Sequence, residues 1–185
     1  MYREYLKYVL EHKKNVFKTC WKRGLYLHAF THDLSKFLLS EFIPYAKWFY
    51  GKYGTNVDET CLLIPEVKTK HCICKADFYI SWREHYKRNK HHWNYWIGKR
   101  MPYKYIIQMI CDWEAMSLKF GGTAQEYYMK NYDKIQLSVE SRCELEFHLC
   151  LIGSEALCGN ITWKQSCDNW GITMEEDLKR LGYIK

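Results

Sequence analysis

Leu27-His28-Ala29-Phe30-Thr31-His32-Asp33-Leu34-Ser35-Lys36-Phe37 is the stretch on which the reading of this chain turns. Leu27, Phe30 and Leu34 give it a helical apolar rhythm, and His32-Asp33 falls near the end of that helix. An imidazole beside a carboxylate can serve one divalent cation if the backbone turns just after the helix. Such a pair arises often by chance, so its meaning depends on what the rest of the chain supplies. His12 lies upstream, His85, His91 and His92 follow, and Asp112 closes the series.

The helix before this stretch reads from about Arg3 to Trp21, with Tyr5, Val9, Val16 and Cys20 on its apolar stripe. His12 sits inside that stripe and should point inward, whereas Lys13, Lys14 and Lys18 reach solvent more easily. A single inward His is most often a satisfied core residue; its place before a His-Asp pair shifts that weighting. Gly24 separates the two helices. Lys36, just beyond the pair, could hold a phosphate oxygen or pair with a carboxylate. Glu41 is a weaker candidate to orient a ligand, because Ser40-Glu41 also looks like an ordinary helix start.

Periodicity breaks from Gly51 through about Cys74, where Gly54, Asn56, Asp58 and Pro65 predict a long loop or insertion. Cys61, His71, Cys72 and Cys74 lack the paired Cys-x-x-Cys spacing of a zinc site and read as loop residues. From Phe78 the helical period returns, and Phe78, Trp82 and His85 share a face. Asn89-Lys90 breaks it again, leaving His91 and His92 on a loop or a new helix start, with either one free to point inward. Met101-Pro102 opens another helix, since proline suits the first helical position. Asp112 falls among Ile106, Met109, Ile110, Trp113 and Met116, and a carboxylate buried there requires a cation or hydrogen-bond donors.

Gly121-Gly122 ends that helix. Thr123-x-x-Glu126, Ser141-x-x-Glu144 and Thr173-x-x-Glu176 read as capping boxes, with helix stops at Gly171 and Gly182. The fold predicted is all-α, a single compact helical domain. Residues 1–135 form the core with its irregular insertion at about 51–74, and 136–185 form a helical extension packed on it.

A 185-residue chain that is 48% hydrophobic and 17% aromatic can bury a substantial core. No stretch approaches the length of a membrane span, and no membrane partner is expected. Nine scattered cysteines fit reduced thiols in a cytoplasmic protein. The formal charge of +7 favours an anionic partner. Arg83, Lys87, Arg88, Lys90, Lys99 and Arg100 surround the downstream histidines, interleaved with Trp82, Trp93, Tyr95 and Trp96. Basic and aromatic residues beside candidate metal ligands suit a phosphate bearing a base; a solvated helix face over core aromatics is the plainer alternative.

Two resemblances rest on these residues. Tyr5-Leu6-Lys7-Tyr8 through Val16, His32-Asp33-Leu34-Ser35-Lys36-Phe37, Asn89-Lys90-His91-His92-Trp93 and Met101-Pro102-Tyr103-Lys104 resemble an uncharacterised bacterial and phage family over roughly residues 1–135. More distantly, the order His, His-Asp, His, His, Asp resembles the HD-domain superfamily of metal-dependent phosphohydrolases. That resemblance implies an HD-like helical core and one or two divalent ions, whether manganese, magnesium, iron or zinc. It implies His12, His32, Asp33 and Asp112 around the first ion, and His85 with His91 or His92 as candidates for a second.

The activity implied is metal-assisted hydrolysis of a nucleotide or cyclic nucleotide. Asp33 and Lys36 would be catalytic, and Lys36, Arg88, Lys90 and Trp93 would bind substrate. Nucleic acid is a less favoured partner. A nucleotide-sequestering protein without turnover and a di-iron oxygenase on the same scaffold stay open as alternatives.

Overall fold

The structure, a computed structural model, describes residues 1–152, 159 and 161–170. Among these residues every regular element is helical, in agreement with the all-α expectation. Helix α1 spans Tyr2–Lys22 and buries Tyr5, Val9, His12, Asn15, Val16, Thr19 and Cys20. Those positions recur at helical spacing, so one face of α1 is committed to the interior and His12 lies at its centre. Gly24, at φ +72°, permits the tight reversal into α2, Tyr26–Thr31.

Helix α2 is too short to bury the stripe its sequence implies. Only Ala29 is buried, while Leu27 and Phe30, and Leu34 beyond its end, are exposed. His32 terminates α2, and Asp33 adopts a left-handed conformation at φ +52° before the 3-10 turn Leu34–Phe37. Aspartate tolerates this region better than most residues, and such single-residue departures concentrate at functional sites.

Helix α3 runs Leu39–Tyr50 and α4 runs Pro65–Arg88. Residues 65–74 are therefore the opening turns of α4 rather than loop, and the irregular segment ends near Ile64, with a 3-10 turn at Thr60–Leu63. The sequence hid this because α4 buries only Cys74, Ser81 and His85, so its first half carries no apolar stripe. Pro65 at the helix start was the available signal. After a 3-10 turn at Trp93–Trp96, α5 spans Tyr103–Phe120 and stops at Gly121, φ +82°. Pro102 caps α5 rather than opening it, a difference of one position.

Helix α6, Ala124–Lys130, carries the capping box of Thr123 and Glu126. Helix α7, Val139–His148, is capped by Ser138 instead of Ser141. Ser141 is buried one turn further in, where its hydroxyl accepts from the Met101 amide at 2.7 Å. Helix α8 spans Trp163–Trp170. The Thr173–Glu176 box and the stops at Gly171 and Gly182 lie outside the described residues.

Helix α1 packs chiefly on α5, and also on α2 and α3, while α3 packs on α4. Two small cores flank the His12 level: Tyr5, Val9, Tyr45 and Ala46 on one side, and Val16, Cys20, Ala29, Cys111 and Ala115 on the other. The main core joins α5 to α6, α7 and α8 through Ile106, Met109, Ile110, Tyr128, Leu145 and Trp163. Cys20, Cys61, Cys72, Cys74, Cys111 and Cys143 are free thiols. No helix of the described residues is long and apolar enough to cross a membrane.

Candidate metal centre

Five segments meet between the two small cores, and each brings histidine or aspartate. Helix α1 contributes His12 and α5 contributes Asp112, placing His12 Nε2 3.1 Å from Asp112 Oδ1. The end of α2 adds His32, whose Nε2 lies 3.3 Å from His12 Nε2 and 3.6 Å from Asp112 Oδ1. His85, on the buried face of α4, turns its Nε2 to within 2.9 Å of His92 Nε2 and 3.5 Å of Asp33 Oδ1. His91 Nε2 stands 3.4 Å from the same Asp33 oxygen. Both adjacent histidines therefore point inward, one to each side of the cluster.

The ligand atoms fall into overlapping groups of cation size: His12, His32 and Asp112; Asp33, His85 and His92; His91, His92 and Asp112; and His28, His32 and His91. All seven residues expected as ligands from the sequence are brought together. His28 joins them unpredicted. The signal was available, because His28 precedes His32 by one helical turn and so shares its side of α2. The described Cys61, His71, Cys72 and Cys74 belong to no such group.

Two orienting contacts fix which nitrogens face inward. Glu41 is fully buried and its Oε2 lies 2.8 Å from His85 Nδ1. A carboxylate only accepts, so Nδ1 carries the proton and the Nε2 lone pair faces the cluster. Glu41 itself receives the Ser35 hydroxyl at 2.9 Å and Arg88 Nη1 at 2.8 Å. On the other side, His28 Nε2 meets His32 Nδ1 at 3.3 Å. Burial and the neighbouring His32 push the His28 pKa down to about 4, leaving a neutral ring able to accept from His32 Nδ1.

The charge balance is unusual for an interior. Burial opposes ionisation of Asp33, yet His32, Lys36 and His85 hold its carboxyl well below the usual range. Burial likewise opposes Asp112, and His12 overcomes it. His91 is driven well below the ordinary imidazole range by burial and His92, and His92 down to about 3 by burial and His85. His32 alone is shifted upward, by Asp33 acting against burial.

Despite this company, Asp33 Oδ1 and His91 Nε2 are buried without a hydrogen-bond donor. Lys36 Nζ lies 2.6 Å from Asp33 Oδ2 as an ion pair, whereas His85 Nε2, its ring proton held on Nδ1 by Glu41, turns a lone pair toward Oδ1. Acceptors turned on acceptors require a cation between them or protons shared among them. Six imidazoles and two carboxylates fit a transition metal; magnesium and calcium prefer oxygen donors.

The substrate residues fare differently. Lys36 is committed to Asp33, and that ion pair holds its own pKa above the ordinary lysine value against burial. Arg88 is spent partly on Glu41. Lys90 is exposed, over the Tyr95 ring at 5.3 Å. Trp93 is half-buried and packs against the main core.

Fold and cluster together define a class: an all-α protein with a buried His/Asp centre able to hold metal. Residues 1–149 match DUF5662, a family of unknown function, and the chain belongs to that family. Comparison with curated proteins and with solved structures finds no match.

Proposed function

We propose that this protein is a metal-dependent phosphohydrolase acting on a nucleotide or cyclic nucleotide, with an HD-like centre. The observation that carries the reading is Asp33, an ionised, buried carboxylate whose Oδ2 pairs with Lys36 while its Oδ1 lacks a donor and faces His85 and His91. His12, His32 and Asp112 would hold one ion, and His85, His92 and Asp33 a second. A bound divalent ion supplies Lewis acidity toward a phosphoryl oxygen and acidifies water.

The chain's own residues do the rest. Lys36 keeps Asp33 ionised and in place, so Asp33 orients the attacking water instead of taking its proton. Glu41 and His28 fix the rings of His85 and His32. Lys90, exposed beside the His91-His92 pair, is the cation best placed to meet substrate phosphate. Manganese, iron or zinc suits this nitrogen-rich set better than magnesium.

The test is metal analysis of purified protein, followed by a nucleotide and cyclic-nucleotide panel with each metal. Hydrolysis that disappears in Asp33→Asn supports the proposal, read as released phosphate for a nucleotide and as nucleoside monophosphate for a cyclic one. Nucleotide bound and recovered unchanged would establish sequestration instead, and oxygen consumption by iron-loaded protein would establish an oxygenase.

A further inference from the structure

One exposed face has no part in the metal centre. Phe17 and Trp21 on α1 stack at 5.1 Å, Trp21 meets Tyr26 at 4.6 Å, and Phe17 meets Phe30 at 5.2 Å. Trp21, Tyr26 and Phe30 are each about half exposed, and Leu27 beside them is 78% exposed. Large apolar side chains gathered this way on a surface mark a contact site. Helical spacing sets Lys14 and Lys18 alongside Phe17 and Trp21, with Lys22 one position beyond. None of these three lysines has an ion-pair partner among the described residues. Between Glu11 and Glu41 the sole acidic residue is Asp33, which is buried. The acids nearest in sequence or space are already engaged, Glu11 by Lys119 and Glu114 by Arg23.

We propose that this face of α1 and α2 docks on an anionic lipid surface, lying in the headgroup layer without crossing it. Charge and shape select this occupant over others. A second copy of the chain, meeting face to face, would set Lys14, Lys18 and Lys22 against their own images. Single-stranded nucleic acid wants free aromatic faces, whereas Phe17 and Trp21 stack on each other, Phe30 and Tyr26 meet them edge-on, and the most exposed member is aliphatic. Interfacial binding takes aromatic and aliphatic groups into the headgroup boundary while flanking lysines meet lipid phosphate and carboxylate. Because α2 also carries His28 and leads into His32, docking would bring the mouth of the centre near the lipid surface.

The experiment is co-sedimentation of the full chain with phosphatidylcholine vesicles, with and without phosphatidylserine, across a salt series. Binding is expected only with phosphatidylserine, fading as salt rises. Lys14→Gln and Lys18→Gln should each weaken it by about fivefold. Leu27→Ser should weaken it at every salt concentration. These positions are exposed, so retained helical circular dichroism and metal content report an intact fold. Failure to bind phosphatidylserine vesicles would overturn the proposal. Equal binding to neutral vesicles would overturn it too. So would a dimer that Leu27→Ser dissociates, or preference for a single-stranded oligonucleotide over vesicles.

Discussion

Two buried polar clusters divide this molecule, and they obey opposite rules. In the C-terminal half, Glu146 is fully buried yet accepts from the Tyr128 hydroxyl and the Trp163 amide, and Arg142 donates to the same Tyr128 oxygen at 2.9 Å. Around its carboxylate that cluster is closed, since each Glu146 oxygen has a donor supplied by the chain, although the Trp163 indole nitrogen beside it has no hydrogen-bond partner among the described residues. The His/Asp centre between α1, α2, α4 and α5 is the reverse. It gathers eight residues able to ligate a metal but leaves Asp33 and His91 with buried atoms the chain does not satisfy. A polar network built for the fold completes itself, while one built for a guest stays incomplete until the guest arrives.

The contrast breaks if the two clusters respond alike to mutation. The largest difference expected is in metal affinity: His32→Ala and Asp33→Asn should weaken it more than about 100-fold while helical circular dichroism persists. Leu145→Ala, in the C-terminal core, should instead lower unfolding free energy by about 2–5 kcal/mol and leave metal stoichiometry unchanged, measured by plasma emission on the same preparation. Retained metal in both ligand variants would make the dyad merely structural.

Glu41→Gln is the next step down. The amide can still occupy the site but no longer anchors the His85 Nδ1 proton as an anion, so metal affinity should fall about 10- to 100-fold. Competition with a fluorescent chelator measures it. The effect should fall on the ion held by His85 and His92, leaving half the metal bound tightly.

Metal addition should raise the unfolding temperature of the chelator-stripped protein. Saturation at 100 times the dissociation constant corresponds to about 2.7 kcal/mol, readable by calorimetry. An unchanged transition would show that the centre binds nothing in the folded state.

The smallest effect sharpens the other side of the comparison. Burial raises the Glu146 pKa to about 7 from 4.5, against the lowering influence of Tyr128, Trp163 and Arg142. Between those values the folded protein holds a proton the unfolded chain has released. This contribution is full below pH 4.5 and is lost as pH rises through 7. Urea unfolding on either side of that window should show it, and Glu146→Gln should flatten it. The His/Asp centre titrates with the opposite sign: His28, His91 and His92 are held below the ordinary imidazole value, so acid erodes their half first.

The centre was more legible in the sequence than the fold around it. His12 could be placed inward because α1 has a strong apolar face, and Asp112 because α5 is apolar on both sides of it. Helix α4 defied the same method because its opening turns lie in solvent and display no stripe. Trp93 and Arg88 show a different limit. Residue type suggested a ligand surface, and tertiary packing adds contacts that type alone does not announce, Trp93 to the main core and Arg88 to Glu41. His28 stands outside the order His, His-Asp, His, His, Asp, and only its one-turn spacing from His32 marks it in the sequence. Exposed Leu27, Phe30 and Leu34 show the limit of periodicity itself, since spacing identifies a face but not what covers it.

His12 and Asp112 stand far apart in the chain, on its first long helix and on α5, yet their side chains touch. A cation held between them would act as a removable cross-link, closing most of the chain into one loop and depriving the unfolded ensemble of that freedom, as a disulfide does. Capture must then wait until α1 has docked on α5, and release must wait until they part. Exchange of the ion should therefore keep time with opening of the α1–α5 seam, making the centre a clock for the slowest motion of the fold.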